Sequence, residues 1–458
     1  MVVPGCYGAR GVHGNGEPRM QFERGWKWAA TAAAVVLLAA CGGGGSSAPA
    51  GSASCDVASQ KDWLRGYMLD WYYWSGSSPN PDPAGYATLD AYFDALKYTS
   101  YPGPRGPIDP WSGYVDSVTY NRFFAEGRAM DYGIFVNGLE GALPLRIRMV
   151  EPKSPAGLGG LQRGDVIKAI NGVADTALLA SGFAVLSPAQ AGTQVTVDIE
   201  RAGVPQRVTL SAAEYDLTPV PASATLTRSS GAKVGYVALK DFIIQAETSL
   251  TTRLDAIKAD GATELIVDLR YNGGGRISTA NHLASQIVGA VHGGEVFTNL
   301  VYNAAHQSSN SSFRMATVPG SAFSRVVVIT GPRTCSASEL IVNGLSPYAQ
   351  VTTVGGTSCG KPYGFSPVES CGNVFSVVNF RANNARDEAN YDAGIAPTCA
   401  VADTFTGTLG DPAEALTGAA LDYLQTRICP VAAAPARAGT LQLRRFAEPG
   451  DRPGMTAD

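Results

Sequence analysis

The sequence predicts a multidomain protein of the α/β class. It is an α+β multidomain arrangement, because a helical region, a β-rich region and a mixed α/β region follow one another along the chain. Three observations support this prediction. The length of 458 residues exceeds the usual size of one domain. Aromatic residues recur at helical spacing over 56–98, and strands with period-two character fill much of 130–215. Over 233–430, apolar strands alternate with helical segments, which is typical of a layered α/β region.

The composition excludes several function classes. The 35 Lys and Arg residues nearly balance the 39 Asp and Glu residues, so we do not expect a nucleic acid as partner. Hydrophobic residues make up 45% of the chain, which is enough to bury a sizeable core. With 4 His residues and no Cys-x-x-Cys pair, the sequence predicts neither a metal site nor a cofactor.

The amino-terminal region predicts export. A short apolar run at 28–40 follows basic residues and is typical of a signal peptide. Residues 38–41, Leu-Ala-Ala-Cys, resemble the bacterial lipoprotein box. That resemblance implies a signal peptide over 1–40 and a lipid on Cys41. Because Gly42 follows the cysteine, it also implies the outer membrane of a Gram-negative bacterium, with the protein facing the periplasm. The alternative is an ordinary cleaved signal with a chance cysteine.

Two regions flank the predicted domains. A Gly/Ser/Ala-rich linker covers 41–55 and an Ala/Pro/Arg-rich segment covers 431–458, and we expect both to be mobile. Between them, 56–128 is predicted as a helical domain. Its Trp and Tyr residues are spaced as the core face of a helix, so we interpret them as core rather than as a ligand platform.

Export makes disulfides plausible for the cysteines that follow Cys41. Six remain, namely Cys55, Cys335, Cys359, Cys371, Cys399 and Cys429. Six cysteines permit 15 connectivities, and the sequence does not choose among them. We expect a bond between Cys359 and Cys371, because the segment between them is short and rich in turn residues.

The β-rich region at 129–215 carries a recognisable run of residues. Ser-Pro-Ala at 154–156 precedes Gly-Gly-Leu-Gln-Arg-Gly-Asp-Val-Ile at 159–167, and Ile-Asn-Gly follows at 170–172. This run resembles the middle of a PDZ domain. The resemblance implies a loop that binds a peptide's terminal carboxylate, and it falls on Tyr132, Gly133, Ile134 and Phe135. The alternative is a small domain that only packs against its neighbour.

Three segments of the α/β region could carry chemistry. The first, 268–275, ends in three glycines that let a backbone approach a ligand closely. The second places Ser336 at a predicted helix start, where unpaired N–H groups could stabilise an oxyanion. Because Glu339 follows three residues later, the same pattern also fits a capping box with no chemistry.

The third segment, 355–362, matches the phosphate-binding loop motif at all but its last position. There Pro362 replaces the Ser or Thr whose hydroxyl such a loop requires. Lys361 therefore needs another role. As a general base near pH 7, its pKa would have to fall by about 3 units, which requires about 4 kcal/mol from its surroundings. Burial acts in that direction, because it disfavours the charged amine.

Together the three segments resemble the C-terminal processing peptidases, or tail-specific proteases, which are Ser/Lys serine peptidases that often carry a PDZ domain. The family pattern of "DLR.N.GG", "SASE" and "GE.T.GK" appears here in the same order at 268–275, 336–339 and 355–361. The resemblance implies a peptidase core over 230–430. It assigns the nucleophile to Ser336, the general base to Lys361, and the oxyanion donors to Ala337 and Gly274.

Three positions depart from the family pattern. Phe365 stands where many relatives have a Gln that orients the base, Cys335 replaces the common Ala, and Gly273 replaces the usual Pro or Ser. The three candidate His residues, at 282, 292 and 306, lie in no motif that would make one of them the base. A Gly-x-Ser-x-Gly elbow is also absent around Ser336.

The sequence therefore predicts an exported, lipid-anchored serine endopeptidase whose partners are protein or peptide substrates and, through Cys41, a membrane. One alternative is a catalytically silent peptide-binding protein on the same fold, which the loss of the Gln at Phe365 suggests. Another is a hydrolase of non-peptide esters or of cell-wall peptide stems. The natural substrate and the oligomeric state remain open.

Overall fold

The structure is a computed structural model that describes residues 54–138, 143–320, 322–430 and 454–456. The predicted signal peptide, Cys41, nearly all of the predicted linker and most of 431–458 lie outside the described residues. Within the described ranges, no helix combines the length and the apolar character that a membrane span requires.

The amino-terminal region contains two helices, α1 (Val57–Trp71) and α2 (Leu89–Leu96). Asp56 and Thr88 cap them by accepting hydrogen bonds from backbone N–H groups of their first turns. The apolar and aromatic faces of both helices belong to one buried cluster with residues of the later chain, such as Phe375. The aromatic stripe is therefore core, and the helices are packed against the α/β part of the molecule.

The next region is rich in short strands. Its strands are β1 (Gly113–Asp116), β2 (Arg128–Asp131), β3 (Ile134–Val136), β4 (Ile147–Val150), β5 (Val166–Ile170), β6 (Val173–Ala174), β7 (Gln194–Arg201), β8 (Val204–Ser211) and β9 (Ala213–Asp216). Its helices are α3 (Ser117–Phe124), α4 (Pro155–Leu158) and α5 (Asp175–Ala180). Four strands form a sheet in the order β6-β5-β7-β8, while β2 pairs with β9 and β3 pairs with β4. Asn171 and Gly172 make the tight turn between β5 and β6 at positive φ.

The remaining chain alternates strands and helices. The strands are β10 (Ala222–Thr227), β11 (Lys233–Ala238), β12 (Glu264–Asp268), β13 (Gly274–Arg276), β14 (Val296–Tyr302), β15 (Ser311–Arg314), β16 (Arg325–Thr330), β17 (Val351–Gly355), β18 (Tyr363–Phe365), β19 (Val368–Ser370), β20 (Asn373–Ser376), β21 (Val378–Asn383), β22 (Cys399–Ala400) and β23 (Gly454–Thr456). The helices are α6 (Gln245–Ala259), α7 (Ile277–Val288), α8 (Ala337–Leu345) and α9 (Ala415–Thr426).

The central sheet has the strand order β10-β11-β12-β16-β17-β22 and is parallel from β11 onward. Its strands are apolar on both faces, as a parallel sheet covered by helices requires. Leu265 and Val267 point to a core shared with α6, α7 and α8, whereas Ile266 points to a core shared with α9. Because β12, β16 and β17 are adjacent and parallel, the segments that follow them emerge at one edge of the sheet.

A second sheet has the order β13-β23-β18-β21-β14-β15. Its strand β23 comes from the range 431–458, which the sequence predicts as a mobile tail. The structure describes residues 454–456 of that range as a strand whose backbone pairs in parallel with both β13 and β18. Composition did not reveal this strand, since ladder hydrogen bonds join backbone groups and need no particular side chains.

The six described cysteines form three disulfides: Cys55–Cys371, Cys335–Cys359 and Cys399–Cys429. The predicted bond between Cys359 and Cys371 is therefore wrong. The chain between these two residues runs out along β18 and β19 and carries Cys371 to the turn before β20. A disulfide needs Cα atoms about 4.4–6.8 Å apart, and closeness in sequence does not provide this geometry.

The disulfide pattern gives a first testable prediction. Peptide mapping of non-reduced protein is expected to recover the three pairs above, and a Cys359–Cys371 peptide would contradict the structure. Replacing Cys399 and Cys429 together by Ala opens a loop with a sequence separation of 30 residues. We expect this change to lower the free energy of unfolding by about 3 kcal/mol, measured by denaturant titration.

Candidate active site

The three chemistry-bearing segments meet at the carboxyl edge of the central sheet. Residues 269–275 follow β12, residues 331–336 follow β16, and residues 356–361 follow β17. Parallel pairing of these strands brings the three segments together, although the first and last of them are about 90 residues apart in sequence. This edge is the usual position of a functional site in an α/β fold.

Ser336 lies directly before α8 in a strained conformation, with φ of 61° and ψ of −116°. Its side chain is fully buried, and its hydroxyl oxygen has no hydrogen-bond partner among the described residues. Ser336 and Glu339 stand in the capping-box arrangement, and the Glu339 carboxylate accepts the Ser336 N–H at 2.9 Å. The Ser336 hydroxyl itself makes no capping hydrogen bond to the helix. A buried hydroxyl without a partner is costly, so a purely capping role does not explain Ser336.

The two predicted oxyanion donors lie beside Ser336. Ala337 is the first residue of α8, where backbone N–H groups have no partner within the helix. Gly274 has φ of +106°, and a Cβ on it would lie 2.8 Å from the Ser336 Cβ and 3.1 Å from the Ala337 nitrogen. A larger residue therefore does not fit at 274 while the turn stays against the serine.

The Gly274 N–H, however, donates to the side-chain oxygen of Asn272 at 2.8 Å. In this structure it is engaged within the protein, whereas among the described residues the Ala337 N–H has no hydrogen bond of this kind. The fully buried Asn272 also fixes the nucleophile segment, because its backbone oxygen accepts from the Cys335 N–H and from the Ser338 hydroxyl. In the sequence, Asn272 is distinguished only as part of the glycine-containing segment 268–275.

Lys361 is fully buried, and its amine lies 3.8 Å from the Phe365 ring centroid and 5.4 Å from that of Trp111. Burial holds the pKa of the Lys361 amine well below its usual value. The positive charge of Arg105 acts in the same direction, whereas the negative charges of Asp109 and Glu339 oppose it. The amine is therefore in an environment that favours its neutral form.

One carboxylate holds the serine and lysine segments together. The Ser336 N–H and the Lys361 N–H both donate to the same oxygen, Oε2 of Glu339, at 2.9 and 2.8 Å. The other oxygen accepts from the Gly360 N–H at 2.8 Å and from the Ser358 hydroxyl at 2.5 Å. Burial raises the pKa of Glu339, and these four donors oppose that rise because they stabilise the carboxylate.

A covalent bond joins the same two segments. Cys335 immediately precedes Ser336, and Cys359 lies two residues before Lys361, so their disulfide ties the two together. Cys335, Cys359 and Glu339 also form a close group of metal-ligand atom types. Because both cysteines are disulfide-bonded, they are not thiolates, and the group is not a metal site in this state.

The amino-terminal region contributes residues to the surroundings of Lys361. The sequence did not predict this contribution. The Tyr101 hydroxyl donates to the Gly360 carbonyl at 2.6 Å. The buried Asp109 accepts from the Tyr72 hydroxyl and from the Trp111 N–H, both at 2.8 Å. Residues 98–112 therefore deliver a carboxylate and an indole ring to the lysine. No motif could reveal this, since the link is spatial and crosses about 250 residues of sequence.

The predicted peptide-binding loop, 132–135, is buried. Tyr132 and Ile134 belong to the core of the β-rich region, and Phe135 packs with Tyr271. The Gly133 N–H donates to the Asp131 carboxylate at 2.6 Å. Next to this loop, a cleft is lined by Asp131, Phe135, Ser187, Lys240 and Asp241, among other residues.

The three histidines that could have served as an alternative base have other contacts. His282 pairs with Thr251 at 2.9 Å, His292 lies 3.4 Å from Glu295, and His306 stacks on Trp71 at 3.6 Å. None of these contacts involves Ser336. Lys361, by contrast, lies on a segment that Glu339 and a disulfide join to the serine segment.

Comparison with known proteins agrees with this architecture. Residues 233–401 match the family model described as Peptidase family S41, and residues 59–113 match that of the Peptidase S41 N-terminal domain. A crystal structure of an S41 protease from Bacteroides fragilis shares the fold, with a TM-score of 0.65 at 22% identity over 80% of this chain and 97% of that chain.

Two curated relatives are carboxyl-terminal processing proteases. The one from Synechocystis is 30% identical over 59% of this chain and 62% of its own length. CtpB from Bacillus subtilis is 24% identical over 55% of this chain and 51% of its own length. The chain thus spans between half and two thirds of the length of these relatives. Over residues 233–401 and 59–113 the chain is therefore similar to peptidase family S41, and its fold is that of the Bacteroides fragilis structure.

Proposed function

We propose that this protein is a serine peptidase that hydrolyses peptide bonds with Ser336 as nucleophile and Lys361 as general base. The observation that carries the proposal is the shared Glu339 oxygen, which binds the backbone N–H groups of both residues. The unpartnered Ser336 hydroxyl and the lowered pKa of Lys361 are the two chemical properties that such a pair requires.

The reaction follows from these properties. The neutral Lys361 amine accepts the proton of the Ser336 hydroxyl, and the serine oxygen forms a bond to the carbonyl carbon of a peptide. The negative charge moves to the carbonyl oxygen, where the Ala337 N–H at the start of α8 stabilises it. The protonated lysine then gives its proton to the leaving amine, and an acyl-enzyme forms. A water molecule, deprotonated by the same lysine, hydrolyses that ester and restores both residues.

The aromatic contacts of Lys361 account for its position without a Gln at 365. The Phe365 and Trp111 ring centroids lie 3.8 and 5.4 Å from the amine, and the negative charge of Asp109 also acts on it. Such a pocket accommodates both the neutral amine and the protonated ammonium form of Lys361. The apolar rings favour the neutral base, while cation–π attraction and Asp109 limit the cost of the ammonium ion that forms during the reaction.

The proposed substrates are protein chains, and the PDZ-like region over 129–215 is proposed to engage their carboxyl termini. The cleft beside the 132–135 loop supports this assignment, because it combines the apolar Phe135 with the cationic Lys240. The Lys240 amine lies 5.1 Å from the Phe135 ring and 3.3 Å from Asp241. A terminal carboxylate could bind there by exchanging with Asp241 as the partner of the lysine.

We further propose that the protein is exported and lipid-anchored through Cys41, at the outer membrane. The pairing of all six described cysteines supports an oxidising compartment. The test is metabolic labelling with a palmitate analogue. Wild type is expected to incorporate it and Cys41→Ala is not, and equal labelling of both would refute the anchor.

The nucleophile assignment predicts different outcomes for two neighbouring serines. Ser336→Ala is expected to lower kcat by about 10⁴-fold or more, measured as cleavage of an unfolded protein. Ser338→Ala removes one hydrogen bond to the Asn272 carbonyl, so it should cost about 1 kcal/mol of stability and retain most activity. The reverse pattern, or full activity in Ser336→Ala, would refute the assignment. Lys361→Ala is expected to be as inactive as Ser336→Ala while remaining folded.

The charges around Lys361 predict opposite shifts in the pH profile. The lysine acts only when neutral, so kcat/KM should rise with pH through its pKa. Asp109 raises that pKa, so Asp109→Asn is expected to move the acidic limb of the profile to lower pH. Arg105 lowers it, so Arg105→Met is expected to move the limb to higher pH. Glu339, the third charge near the amine, is left unchanged in both variants.

The exposed Asp62, on α1, provides a matched control, because its carboxylate is not among the charges that act on Lys361, so Asp62→Asn should leave the profile in place. Shifts of Asp109→Asn and Arg105→Met in the same direction would contradict the assignment of Lys361 as the base.

Carboxylate recognition in the cleft is tested with a pair of ligands that differ only at the terminus. In the Ser336→Ala background, an apolar peptide with a free carboxylate is expected to bind about tenfold more tightly than its carboxamide, since a charge-assisted contact adds about 1.5 kcal/mol. Equal affinity measured by fluorescence anisotropy would remove this role from the PDZ-like region.

A further inference from the structure

The strand β23 occupies a defined position next to the proposed catalytic residues. It lies between β13 and β18 in the second sheet. Gly274, Gly275 and Arg276 pair in parallel with Gly454, Met455 and Thr456, and Phe365 pairs with Thr456. We call the space between β13 and β18 the strand slot.

Both walls of the strand slot are held from behind. On the side away from the slot, β18 pairs with β21, and β13 is bridged to Phe242 through Gly275. In the described part of the chain, β13 and β18 are joined in this sheet only through β23. Two strands fixed in this way present backbone N–H and C=O groups to any extended segment placed between them, and such strand addition is a common mode of peptide recognition.

The strand slot also lies at the proposed reaction centre. One wall begins at Gly274, the glycine that packs against the Cβ of Ser336. The other wall begins at Tyr363, two residues after Lys361. An extended backbone in the slot therefore runs between the turn beside the serine and the strand that follows the lysine. The side chains of Ser336 and Lys361 are both fully buried, so an external peptide can reach them only after part of the chain moves aside.

We propose that the strand slot binds the backbone of peptide substrates and that segment 454–456 of this chain is an intramolecular ligand of the same slot, in competition with them. This inference deepens the proposed function and rests on it for the nature of the external ligand. The binding of 454–456 uses backbone groups, so a substrate with other side chains can replace it. The segment thereby sets how readily the site opens to external peptides.

The test measures binding rather than cleavage, in full-length protein that carries Ser336→Ala. The probe is a fluorescein-labelled synthetic peptide with the sequence of residues 450–458. Segment 454–456 is tethered to the slot, so it competes at an effective concentration on the order of 1 mM. If the segment and the probe each bind the open slot with a Kd on the order of 0.1 mM, the probe should bind protein with an intact β23 about tenfold more weakly than protein with an open slot.

Met455→Pro opens the slot in this design, because proline cannot donate to a strand ladder. Added to Ser336→Ala, it is expected to tighten probe binding about tenfold, whereas the control Ala434→Pro, which changes a residue well before β23 in the sequence, should leave binding unchanged. Hydrogen–deuterium exchange gives a second readout. Amides of 274–276 and 363–365 should exchange faster in the Met455→Pro protein than in the control.

Equal probe affinity in the two proline variants, together with unchanged exchange at both walls, would overturn the inference. Its failure is distinguishable from failure of the proposed function. If the binding pattern holds but protein with an intact Ser336 cleaves no peptide even with Met455→Pro, the slot assignment stands and the peptidase proposal fails. If cleavage occurs at the same rate with and without Met455→Pro, the intramolecular competition is refuted and the peptidase proposal stands.

Discussion

The buried carboxylate of Glu339 is the interaction on which the site depends. Removing a charge from water is expensive, and a carboxylate remains ionised in the interior only if donors replace its hydration. Glu339 has four such donors, from Ser336, Ser358, Gly360 and Lys361. Each bond to a charged group contributes about 1.5–3 kcal/mol, and any arrangement that separates the two segments loses several of them at once. The same group that caps α8 thus sets the geometry of the proposed pair.

Ser336 and Glu339 have different roles within the capping pattern, and one short motif therefore serves both structure and chemistry. In an ordinary capping box, the serine hydroxyl binds the helix and is not available. Here the Ser336 hydroxyl makes no hydrogen bond to the helix, while the Glu339 carboxylate accepts the Ser336 N–H. The glycine at 274 allows the facing turn to approach, and Asn272 holds that turn in place. Strain at Ser336 is sustained because several independent contacts fix the residues around it.

The environment of Lys361 is built by a different part of the chain. Its low pKa comes mainly from burial under Phe365 and Trp111, and the nearby Asp109 and Arg105 adjust it in opposite directions. Three of these four residues come from the amino-terminal region, so that region belongs to the site and is not a separate appendage. Similarly, β23 reaches the site from far along the chain. The chemistry at the sheet edge is therefore controlled by segments that carry no catalytic motif.

The sequence by itself determined the alternation of strands and helices over 233–430 and the three segments that could carry chemistry, because period, turn residues and motif spacing are local properties. It also identified Ser336 and Lys361 as candidates. Only the tertiary structure decided the cysteine pairing, the engagement of Gly274 by Asn272, the residues around Lys361 and the strand at 454–456. Each of these is a contact between residues distant in sequence, where many pairings are compatible with the same local pattern. Which pairing forms depends on how the sheets and helices pack, because packing alone brings such groups within bonding distance.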